Sequence, residues 1–65
     1  MFINLVDGTY LNADLILSFY VVDENPISIN CCTINAQVFV LGSGFEDVEE
    51  AQNSLDQFLI NNNLI

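Results

Sequence analysis

Nine carboxylates and two adjacent thiols are the side chains with most chemistry to offer in this 65-residue chain, which contains no Lys, Arg or His. Two carboxylates can divide acid and base roles only where burial or a close neighbour raises the pKa of one of them. Here they fall at turns and along one stretch of amphipathic character. Without an imidazole, amine or guanidinium there is no conventional triad and no cationic clamp for an oxyanion or phosphate. No catalytic residue is assigned, and the chain reads as a non-enzyme. Two cysteines without a histidine make a poor zinc set. Asp23-Glu24-Asn25 runs adjacently, where a calcium loop needs alternating ligands. No metal and no cofactor are therefore expected. Gly42-Ser43-Gly44 could suggest a phosphate cradle, but Glu46 and Asp47 follow at a helix start, complement its dipole and would repel an anion. Cys31 and Cys32 are strand neighbours that point to opposite faces, so a disulfide between them would be strained. Both read as reduced, either as small buried hydrophobes or as a redox pair.

The charge balance narrows the function classes further. An average domain is about 25% charged with the signs mixed; this one is 14% charged, all of it negative, with a net charge of −9. Such a chain is repelled by nucleic acid and by anionic membranes, and it complements basic protein surfaces. The candidate partner-binding residues are Glu46, Asp47, Glu49, Glu50 and Asp56, with Asp23 and Glu24 at a turn. Equally, the acids could serve as a solubility device for a small protein that is 52% hydrophobic. No apolar run exceeds four residues, as in Phe19 to Val22, so no membrane-spanning segment is expected. No positively charged leader is visible, and a cytoplasmic location is expected.

The elements that must position these groups follow from periodicity. Phe2 to Val6 and Thr9 to Leu11 read as strands around Asp7-Gly8, a type I′ hairpin signal. Asn12-Ala13-Asp14 is a turn. Leu15 to Val22 is almost continuously apolar, which suits a central strand covered on both faces. Asp23 to Pro26 turns the chain into Ile27 to Ile34, where Ile27, Ile29, Cys31 and Thr33 share one face. Asn35-Ala36 turns it again into a last strand, Gln37 to Leu41. Ser43 and Glu46 have capping-box spacing, and Phe45, Val48, Ala51, Leu55, Phe58 and Leu59 recur at helical steps with Glu46, Asp47, Glu49, Glu50 and Asp56 opposite. The expectation is one α+β domain over residues 1–65, with strands over about 2–41 and a helix over about 44–60. Four to five antiparallel strands form the sheet, and the helix covers one face. The other face is closed either by curling into a partial barrel or by a homodimer.

Two stretches carry a family resemblance. Leu11-Asn12-Ala13-Asp14-Leu15-Ile16 resembles the L-N-A-D-L-I run of small FlbD-like flagellar and swarming-motility proteins. Phe39-Val40-Leu41-Gly42-Ser43 followed by Glu46-Asp47-Val48 is similar to their entry into the last helix. Together they cover about a third of the chain. The resemblance implies a strand-rich accessory protein with a C-terminal helix, and it carries over no functional residue.

Two functions are open on these grounds. One is a small acidic inhibitor of the kind phages and mobile elements use, a DNA mimic or anti-CRISPR-like decoy that occupies a basic nucleic-acid channel of its target without binding nucleic acid itself. The other is a non-enzymatic accessory or assembly protein acting through sheet-mediated oligomerisation.

Overall fold

The computed structural model describes residues Met1–Leu64. Five strands and one helix follow in order: β1 (Phe2–Asn4), β2 (Tyr10–Asn12), a 3-10 turn at Ala13–Leu15, β3 (Ile16–Val22), β4 (Ile27–Thr33), β5 (Val38–Phe45) and α1 (Val48–Asn61). The fold is α+β. The strands divide between a two-stranded sheet, β1–β2, and an antiparallel three-stranded sheet ordered β3–β4–β5. The single sheet of four to five strands expected from the sequence is thus split two and three, and it does not close into a barrel.

β4 is the centre. Its alternation places Ile29, Cys31 and Thr33 inside, with Ile27 half-buried beside them. The register carries that face across the sheet. Phe19 and Phe39 flank Cys31, and Val21 and Gly42 flank Ile29. Two groups cover this one face. Ala51 and Leu55 of α1 pack on Ile29, while Ile3, Leu5 and Leu11 of the β1–β2 hairpin pack with Cys31. Phe58 touches both clusters, and its ring lies 6.1 Å from that of Phe19. Because the hairpin shares the helix's side of the sheet, the opposite side is left uncovered.

β3 is therefore an edge strand, not the doubly covered central strand that its apolar run suggests. A bulge between Ile16 and Ser18 takes Leu17 out of the ladder, and Leu17 is 70% exposed. An extra residue locally interrupts pairing and bends the strand.

Both β-turns with a closing pair have one form. Gly8 N–H donates to Leu5 O and Leu5 N–H to Thr9 O; Ala36 N–H donates to Thr33 O and Thr33 N–H to Gln37 O. Each is a three-residue loop whose third residue is left-handed, Gly8 at φ 87° and Ala36 at φ 64°. This is the three-residue hairpin with a bulge, not the two-residue type I′ turn expected at Asp7-Gly8. Asp7 accepts from Thr9 N–H at 3.0 Å and fixes the first loop. In the second, Thr33, buried at 2% exposure, accepts from Gln37 N–H at 3.2 Å.

The helix begins later than its local spacing implies. β5 runs on to Phe45, which pairs with Ile27, and Ser43 pairs with Ser28. Ser43 is a strand residue and caps nothing. Asp47 is the N-cap and accepts from Glu50 N–H at 2.7 Å. Glu50 reaches back to accept from Glu46 N–H at 3.0 Å, one residue before the N-cap, so a variant of the capping box is formed four residues further along. Val48, expected in the core, opens the helix and is 38% exposed, and Phe45 packs from β5 instead. The helix ends in a Schellman motif: Asn63 is left-handed at φ 56°, Leu64 N–H donates to Leu59 O, and Asn63 N–H to Ile60 O.

Candidate functional site

No charged residue lies in any of the five strands; all nine acids fall in turns, the 3-10 segment, the cap or the helix. A carboxylate on the covered face would be buried with no cationic side chain to pair it, because this chain has none; the open face is solvated, and it too carries no acid. The pairing of Ile27 with Phe45 then gathers charge. It sets the β3–β4 turn, with Asp23 and Glu24, at the same end of the sheet from which β5 leaves into Glu46, Asp47, Glu49 and Glu50. Six of the seven candidate residues share that end. Asp56 does not. It lies two helical turns further along, where it accepts from Gln52 Nε2 at 3.1 Å, among neutral side chains.

These acids are not equivalent. Asp47 and Glu50 accept backbone hydrogen bonds at the helix start and so hold the fold as well as carrying charge. Glu46 precedes the helix and contributes its N–H. Among the described residues, the carboxylates of Asp23, Glu24, Glu46 and Glu49 are exposed and make no hydrogen bond, which leaves their charge free for a partner. The uniform acidic helix face expected from periodicity is in fact an acidic end plus one distant carboxylate. Elsewhere, the Thr9 N–H bonded to Asp7 holds its carboxyl below the usual carboxylate range, and Asp14 lies 4.0 Å from the N-terminal amine, both exposed.

The second surface is the sheet face for which closure, by curling or by a second copy, is expected from the sequence; it does not curl shut. The uncovered side of the three-stranded sheet presents Tyr20 and Val22 from β3, Asn30 and Cys32 from β4, and Val38 and Val40 from β5, as the register dictates. Val38 is 54% and Val40 44% exposed. Alternate residues of the apolar strands must face somewhere, and one helix cannot cover both sides. The two thiols separate by the same alternation. Cys31 is sealed in the core, where burial pushes its pKa up, and Cys32 is half-buried on the open face.

The described residues enclose no pocket and bring no three metal-ligating side chains together. No helix among them is long and apolar enough to cross a membrane. No family model matches the chain, and comparison with curated proteins and with solved structures gives no significant match.

Proposed function

We propose that this protein is a non-enzymatic interaction module whose acidic end docks on a basic surface of a partner protein, as an inhibitor that occupies a nucleic-acid-binding site would. The observation that carries this reading is the gathering of Asp23, Glu24, Glu46, Asp47, Glu49 and Glu50 at one end of a sheet in a chain without one basic side chain. Magnitude shapes the proposal. The 14 residues of α1 span about 21 Å, over which duplex DNA would carry about twelve phosphates. The helix alone is no copy of a duplex. Six carboxylates at one end of the sheet match a local cluster of Lys and Arg better than a long groove.

The test neutralises three acids whose carboxylates have no structural duty: Asp23→Asn, Glu24→Gln and Glu49→Gln together. The triple variant should melt as the parent does and capture its partner from a lysate of the source cells about tenfold more weakly, since rim charges each contribute a few tenths of a kcal/mol to about one. Unchanged capture would reduce the acids to a solubility device. The uncovered sheet face favours a second reading, the accessory or assembly role that the FlbD-like resemblance also implies.

A further inference from the structure

We propose that the uncharged face of the β3–β4–β5 sheet is the contact surface of a face-to-face homodimer, its occupant a second copy of this chain. The inference deepens the assembly reading above and is independent of the acidic-end reading.

Charge constrains both the occupant's orientation and the surface. A second copy brings another −9, so two copies can meet closely only where neither carries charge. The open face is such a place, because every acid lies outside the strands. Stacking the two open faces puts both helices on the outside. With layers about 10 Å apart, the helix axes then stand about 30 Å from each other, several times the ~8 Å screening length at physiological salt. Pairing through an edge strand does the reverse. It lays both helices on one side of a continuous sheet as neighbours, acid against acid. The β5 edge is further spoiled by two register shifts, opposite Ile27/Ser28 and Ile29/Asn30, and bulges of this kind discourage edge pairing.

The face is also fit to be dried. It presents Tyr20, Cys32, Val38 and Val40 around Asn30, which pairs with Tyr20 and Val40 across the sheet, and Ser28 Oγ donates to Asn30 Oδ1 at 3.0 Å. Three strands about 4.8 Å apart give a flat footprint of roughly 300 Å² per copy. Two such footprints with their rims remove on the order of 1,000 Å² from water, the lower edge of specific interfaces. The dimer is accordingly weak and concentration-dependent.

Sedimentation equilibrium of the full chain tests this, in low and high salt. A monomer–dimer equilibrium is expected, with the dimer fraction rising as salt screens the two like-charged copies. Val40→Glu and, separately, Val38→Glu should each weaken dimerisation at least tenfold with the circular-dichroism spectrum unchanged. Maleimide labelling of wild-type Cys32 should slow as protein concentration rises, while sealed Cys31 stays unlabelled; this readout decides the matter should the variants misfold. A monomer under all conditions overturns both the dimer and the assembly reading. A dimer untouched by both substitutions, with Cys32 labelling independent of concentration, overturns the face and leaves assembly through an edge.

Discussion

Removing Asp47 separates the helix cap from the acidic surface to which it belongs. Its carboxylate accepts from Glu50 N–H at 2.7 Å, and no other side chain among the described residues does so. Asp47→Ala leaves that donor to water and removes a negative charge from the positive end of α1. An N-cap replaced by alanine typically costs about 1 kcal/mol, with a range of about 0.5–2. A 65-residue domain has roughly 3–10 kcal/mol in total, so the loss is substantial. It corresponds to a fall in Tm of about 4–8 °C. Asp47→Asn keeps an acceptor and loses only the charge, and should melt much closer to the parent. Ser43→Ala should be neutral, because Ser43 is an exposed residue of β5 paired with Ser28. Thermal melts of the three variants, followed by circular dichroism, decide the point. A Ser43→Ala protein that loses several degrees beside an unaffected Asp47→Ala would return the cap to Ser43 and refute the shifted helix start.

Leu55, 4% exposed against Ile29 and Ala51, should cost about 2–5 kcal/mol as Leu55→Ala, read as a lower urea midpoint. Ala36 sits left-handed at φ 64°, so Ala36→Gly should stabilise by about 0.5–1 kcal/mol in the same assay, while Gly8→Ala in the matching loop should destabilise by a similar amount. Cys31 gives an alkaline limb. Its folded pKa lies above the ordinary thiol value of 9.0, so the unfolded chain ionises first and stability, full below about pH 9, falls as pH rises towards the folded pKa. Urea midpoints should decline on that limb less steeply in Cys31→Ala than in the parent.

The sequence and the structure agree where local pattern decides and part where distant pairing does. The inward set Ile27, Ile29, Cys31 and Thr33 is readable from alternation alone, and so is the helix that packs Ala51 and Leu55 on it. Two box spacings compete at the helix start, Ser43 with Glu46 and Asp47 with Glu50. The second wins because Phe45 is held in a ladder with Ile27, a pairing that no local window contains. The run from Leu15 to Val22 reads as doubly buried because it is apolar on both faces. One of those faces is open, and Leu17 is turned out at a bulge. The acids were legible as candidates one by one. Their gathering was not, since Asp23 and Glu24 meet the cap acids only through the β4–β5 register.

The most direct experiment is the salt dependence of partner capture by the immobilised full chain, with duplex DNA as competitor. An acidic end seated on a basic nucleic-acid site requires capture to weaken steeply as salt rises, because exposed charges are screened over ~8 Å at physiological ionic strength, and requires the duplex to displace the captured protein. Capture that is equally strong in low and high salt, and indifferent to DNA, would contradict it.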